Sequence, residues 1–154
     1  MTKFAKEISS QAAQRNYVTV VDTGFGLKQE IIAGRHRLVA DEPVEAGGGD
    51  QGPTPYDLLL SALGACTSIT IRIYAQRKGW ALDGVTVHLS HTKIHAEDCR
   101  ECETEAGQLD QIDCEIELAG SITPDQRLRL LQIAEKCPIH RTLTSEIEIL
   151  TTMK

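Results

Sequence analysis

Residues 47–80, GGGDQGPTPYDLLLSALGACTSITIRIYAQRKGW, decide the fold of this chain. Three consecutive glycines and Pro53 hold no regular element, so 46–53 is a loop. Thr54-Pro55-Tyr56-Asp57 then starts a helix. Thr54 caps the first free N–H groups, Pro55 fits the first helical position, and Asp57 places a carboxylate at the positive helix end. Beyond it Leu58, Leu59, Leu63, Ala65, Cys66, Ile69, Ile73 and Tyr74 nearly surround the helix, which predicts an element buried on most sides. Gly79 stops it.

The flanking sequence is β-rich. Residues 17–21 and 26–32 predict two short strands with a turn near Asp22 to Gly24, and 35–40 a third. Val85, Val87 and Leu89 alternate with Thr86, His88 and Ser90, and Ile112, Cys114, Ile116 and Leu118 alternate with acids, so 85–95 and 112–118 predict an antiparallel pair. Thr123-Pro124-Asp125-Gln126 repeats the helix-start pattern of Thr54. Leu128, Leu131, Ile133 and Ala134 make the second helix amphipathic; Cys137 is expected to end it and Pro138 to stop it. Ile147 and Ile149 predict a last strand. The order is that of an α+β protein and not of a βαβ repeat.

The chain has 154 residues, 41% of them apolar, which suits one domain spanning 1–154, with 1–16 a peripheral arm or helix. Sixteen basic against twenty-two acidic residues give a net charge of -6 without a dense basic run, which argues against nucleic acid or an anionic membrane as partner. Residues 1–17 carry polar or charged groups throughout and lack the apolar core of a signal peptide. The apolar stretch 58–75 is broken by Ser61, Thr67, Ser68, Thr70 and Arg72, which argues against a membrane span. A cytoplasmic protein is expected. Five cysteines, an odd number, then fit reduced thiols or a catalytic disulfide better than a structural framework.

Cys66 and Cys137 lie in unlike settings. A cysteine inside a buried helix is most often a small inert hydrophobe. Cys137 is less bland, because His140 and Arg141 follow it closely and a reactive thiol needs positive charge to hold its thiolate. Cys66 lies too deep in its helix to feel the helix N-terminus, so a cation elsewhere would have to serve it; Arg72 is six residues on.

The stretch 47–80, followed after two strands by AEKCPIHRTL at 134–143, resembles the OsmC/Ohr family, in its OsmC-like branch. The resemblance covers roughly 26–151. It implies antiparallel sheets around a long central helix and an intertwined homodimer. It also implies a thiol-dependent peroxidase: Cys66 attacks the peroxide and becomes a sulfenic acid, and Cys137 closes the disulfide. The implied substrates are organic hydroperoxides and the implied reductant is a dithiol such as dihydrolipoamide, with no cofactor required. Peroxidases of the family carry a Glu after the helix-start proline, where this chain has Tyr56; Asp57 is the neighbouring carboxylate. They also hold the thiolate with an Arg from an early strand, and of Lys28, Arg35 and Arg37 the choice is Arg37. The alternative is a non-catalytic protein of the same fold that binds a small ligand or a metal.

A second constellation is His91, His95, Cys99 and Cys102 in HTKIHAEDCRECE. Two imidazoles and a Cys-x-x-Cys are a donor set for zinc. An extended chain would hold His91 and His95 about 13 Å apart, so zinc requires a bend after His91. A redox Cys-x-x-Cys and a plain polar loop are the other readings.

Overall fold

The computed structural model describes residues 17–98 and 107–153. They gather into two compact units that meet in sequence at Leu58/Leu59.

The first unit is built on an antiparallel meander, β1 (Val18–Asp22), β2 (Gln29–Ala33) and β3 (His36–Ala40). Asp22 shapes the first turn by accepting the Gly24 N–H at 2.9 Å. Gly34 makes the two-residue second turn between paired Ala33 and His36 at φ +62, where a side chain would be strained. A single 3₁₀ turn, Val44–Ala46, leads into the glycine loop.

That loop is ordered around one carboxylate. Asp41 is only 2% exposed. It accepts N–H groups from Glu42 at 2.8 Å, Gly49 at 3.1 Å and Gln51 at 3.2 Å. Burial alone would raise its pKa, but these three donors and the Lys28 ammonium hold it below the usual carboxylate range. Gly48 is required by space: a Cβ there would lie 1.8 Å from the Glu42 carbonyl oxygen, a backbone atom that cannot turn aside. Gly48→Ala is therefore expected to destabilise the protein by about 1–3 kcal/mol, the usual range for forced overpacking. Urea unfolding checks this, and an unchanged midpoint would refute it.

Helix α1 (Pro55–Lys78) starts as its sequence predicts. Thr54 Oγ1 accepts the Asp57 N–H at 3.1 Å, and Asp57 Oδ2 accepts the Thr54 N–H at 2.9 Å, a reciprocal capping box. Arg77 and Lys78 occupy its last turn, and Gly79 ends it at φ +65.

In the second unit α1 packs with β4 (Leu82–His95), β5 (Gln108–Gly120), α2 (Pro124–Ala134) and α3 (Pro138–Leu143). β4 and β5 form a long antiparallel ribbon in which Leu89 faces Cys114 and His91 faces Ile112. The core is Ile71, Ala75, Leu82, Ile122, Leu130 and Ala134. Gly64 brings α1 close to the ribbon, since a Cβ on it would come within 2.7 Å of Leu89 Cδ1. Arg72 donates to the Leu82 and Asp83 carbonyls, so this cation ties α1 to β4. Thr123 and Gln126 cap α2 reciprocally.

Three expectations need correction. α1 is not buried on most sides: Leu63, Gly64, Thr67, Ile71 and Ala75 form one buried stripe, while Leu59, Ile69 and Ile73 remain exposed. By length and composition it is apolar enough to cross a bilayer, although one side of it builds a protein core. Cys137 does not end α2, which stops at Ala134; it caps α3. Proline stops a helix from within but is well suited to the first helical position, and Pro138 takes that role. The last strand is absent among the described residues, because a strand exists only by pairing and 147–150 enters no ladder; Ile149 is 82% exposed.

Candidate thiol site

The α2–α3 corner carries the first thiol. The Cys137 N–H donates to the Ala134 carbonyl at 3.0 Å, closing the last turn after α2. At φ -55 and ψ 133 the backbone leaves helical geometry for one residue, and Pro138 restarts it. Cys137 thus becomes the capping residue of α3 by its backbone, without a side-chain capping hydrogen bond. Its sulfur lies among the Ile139 and His140 N–H groups, the Thr67 hydroxyl and the Cys66 thiol, all close enough to lower its pKa. The side chain is 0% exposed.

Helix α1 supplies the other thiol. Cys66 lies beside the buried stripe and is half-buried. It bonds the Cys137 thiol and also meets the Ile139 N–H and the Thr70 hydroxyl. Two residues seventy-one positions apart are therefore in hydrogen-bond contact, both as free thiols.

Their environments push the two sulfurs apart in acidity. Burial raises Cys66, and the hydrogen bond and charge of Cys137 raise it further, against the weaker pull of Ile139 and Thr70. Burial also raises Cys137, but the Cys66 thiol, the His140 N–H, the Thr67 hydroxyl and the Ile139 N–H outweigh it and lower the pKa. Cys137 is therefore the first of the pair to ionise, and Cys66 the one that keeps its proton at that step. Thr67→Val removes one donor at nearly constant volume, so the first ionisation of the pair is expected at higher pH than in the wild type. Thiolate absorbance against pH measures it, and coincident curves would refute the role given to Thr67.

A cavity of about 380 Å³ adjoins the pair through Thr67 and His140. Leu63, Ile112, Leu131 and Leu143 give it apolar walls, and Cys114 opens onto it from β5. Thr67 was not singled out from the sequence as a site residue. Its signal was that of one polar side chain in a stripe, 63–67–71–75, that is otherwise apolar.

Arg37 is exposed on β3, paired in register with Ile32. Asp57 spends Oδ2 on the Thr54 hydroxyl and N–H, which keeps its carboxyl below the usual range. The ribbon runs extended through His91 and His95, without the bend that zinc requires. His91 Nε2 lies 2.8 Å from Asp110 Oδ1, and His95 is exposed opposite Gln108. Cys99 and Cys102 fall outside the described residues; among the described ones no three His, Cys, Asp or Glu side chains gather as a metal site.

Comparison with known proteins adds a lineage to this geometry. A family model described as OsmC-like protein matches residues 47–152. A search of curated proteins finds no match. Among solved structures, an OsmC-like protein of Mycoplasma pneumoniae superimposes with a TM-score of 0.64 at 18% identity, over 84% of this chain and 87% of that one. The organic hydroperoxide resistance protein OsmC of Legionella pneumophila gives 0.61 at 19%, over 84% and 89%. The organic hydroperoxide resistance protein OhrB of Bacillus subtilis gives 0.59 at 16%, over 86% and 92%. At these identities the structural likeness establishes the α+β fold.

Proposed function

Because the chain belongs to the OsmC-like protein family, its match extending over residues 47–152, we propose that it is a thiol-dependent peroxidase acting on organic hydroperoxides. The observation that carries this reading is the hydrogen-bonded pair Cys66 and Cys137. Two of the similar structures are named for organic hydroperoxide resistance, which supports the substrate class.

Burial supports the division of roles. Cys137 is sealed from solvent and Cys66 is not, so the peroxide meets Cys66. The Cys66 sulfur attacks the distal peroxide oxygen, its proton passes to the Cys137 thiolate, and the O–O bond breaks to release an alkoxide, which takes a proton from solvent and leaves as the alcohol. Cys66 is left as a sulfenic acid. The Cys137 sulfur then attacks the Cys66 sulfur, and the sulfenic oxygen leaves as water. A dithiol of the dihydrolipoamide class takes the disulfide by exchange and restores both thiols. The apolar cavity suits a hydrocarbon substituent on the peroxide. Arg37, by likeness to the family's early-strand Arg, and Asp57, the carboxylate next to the family's Glu position, are assigned the orienting of the peroxide.

This peroxidase works as a homodimer in the cytoplasm and requires no resident cofactor. The dimer is supported by the exposed apolar side of α1 and by exposed Ile147, Ile149 and Leu150, which a second copy would cover. Titrating reduced protein with cumene hydroperoxide, with peptide mapping after alkylation, tests the function. A Cys66–Cys137 disulfide forming at about one equivalent supports it. Two unreacted thiols would sink it and leave the cavity to a ligand-binding protein without turnover.

A further inference from the structure

A third thiol shares this site. Cys114 projects from β5 and lines the same cavity as Thr67 and His140, two of the residues that surround the Cys137 sulfur. Its partner across the ribbon, Leu89, abuts α1 at Gly64, two residues before Cys66. Cys114 and Cys137 are near enough to feel each other's charge. The three sulfurs come from three elements and differ in access: Cys137 is buried, Cys66 half-buried and Cys114 exposed.

We infer that Cys114 relays the disulfide outward, exchanging with the Cys66–Cys137 bond to form Cys114–Cys137. The inference rests on the peroxidase reading only for the source of the first disulfide. In the exchange the Cys114 thiolate attacks the Cys137 sulfur, the Cys66–Cys137 bond breaks, and Cys66 leaves as a thiolate that takes up the proton Cys114 gave to solvent. One S–S bond is exchanged for another, so no oxidant or reductant is consumed. The direction follows from access: a disulfide with one sealed sulfur and one half-buried sulfur is hard for a protein-bound dithiol to reach, and the exchange places one sulfur of the bond at the surface. The timing follows from charge. Burial and the Cys137 charge both keep Cys114 protonated, and the second influence disappears once Cys137 is in a disulfide.

Diamide makes disulfides from thiols without peroxide, so it tests the relay even if the protein is no peroxidase. Reduced wild type and Cys114→Ser are oxidised with diamide, quenched with N-ethylmaleimide at increasing times, and cut with trypsin and a Glu-specific protease. The second enzyme separates Cys102 from Cys114 at Glu103 and Glu105. In the wild type the Cys66–Cys137 pair is expected to give way to Cys114–Cys137, with Cys66 becoming alkylated. In Cys114→Ser the first pair should persist and alkylated Cys66 should be lost. Cys66→Ser should still cross-link Cys114 to Cys137, which checks their reach without the first disulfide. A Cys66–Cys137 bond that persists alike in wild type and Cys114→Ser overturns the relay. Cumene hydroperoxide in a parallel reaction reports separately on the peroxidase reading.

Discussion

Cys66→Ser is expected to consume no organic hydroperoxide above the uncatalysed rate. The expectation follows from chemistry before structure. A serine hydroxyl stays protonated at neutral pH and forms no analogue of a sulfenic acid, so neither the attack nor the later S–S bond has an atom to use. The fold has little stake in the exchange, since Cys66 lies beside the buried stripe of α1 and not in the core around Ile71 and Leu130. Its loss acts on the partner. A serine hydroxyl can still donate to the Cys137 sulfur, so it is in Cys66→Ala that Cys137 gives up its largest stabilising contact and its ionisation should move up toward the ordinary thiol range. Peroxide consumption with excess dithiol reads the first effect, and thiolate absorbance against pH reads the second. Undiminished turnover in a variant of unchanged melting temperature would remove Cys66 from the mechanism, and with it the peroxidase assignment.

Much of the fold was legible because its boundaries are written in local chemistry. Thr54 and Thr123 each precede a proline and are followed three residues on by a side chain that can bond back, so both helix starts are fixed by contacts within four residues. The ribbon was legible because apolar and polar residues alternate along 85–90 and 112–118. The sequence misled where an element depends on what it meets. The apolar circumference of α1 was read as burial, yet apolarity states only that a surface seeks cover, and one side alone finds it within the chain. The alternating Ile147 and Ile149 carry strand preference without a ladder to join. Pro138 was read as a stop because the same residue suits the residue after one helix and the first turn of the next.

At the site, the sequence and family likeness supplied the two thiols but not the means by which they differ. His140 and Arg141 were expected to hold the Cys137 thiolate with their charge. The contacts on the sulfur are instead backbone N–H groups of residues 139 and 140 and the hydroxyl of Thr67. Backbone donors leave no compositional trace, and their aim depends on the one extended residue at the α2–α3 corner. Arg72 illustrates the converse. A cation near a cysteine in sequence suggested activation, and its guanidinium is taken up by the Leu82 and Asp83 carbonyls.

Cys137→Ser separates the two duties that the geometry gives to one sulfur. As the resolving thiol, Cys137 closes the disulfide; without it the reaction should halt after one peroxide, with Cys66 as a sulfenic acid that dimedone labels and that excess peroxide drives on to the sulfinic acid. As the proton acceptor, it takes the Cys66 proton during attack. Serine cannot do this at neutral pH, so the first turnover itself should slow by about 10²-fold or more, the usual scale of a lost general base. The pH profile distinguishes the duties. In the wild type the first-turnover rate rises as Cys137 ionises, below the ordinary thiol range. In the variant it should rise only as Cys66 ionises by itself, with burial still holding that step above the ordinary range. The acid limb therefore moves to higher pH, and raising the pH should recover much of the lost first-turnover rate without restoring multiple turnovers. A variant that stalls after one turnover with an unshifted profile would leave Cys137 as a resolving thiol alone, and proton transfer to it would play no part in the attack.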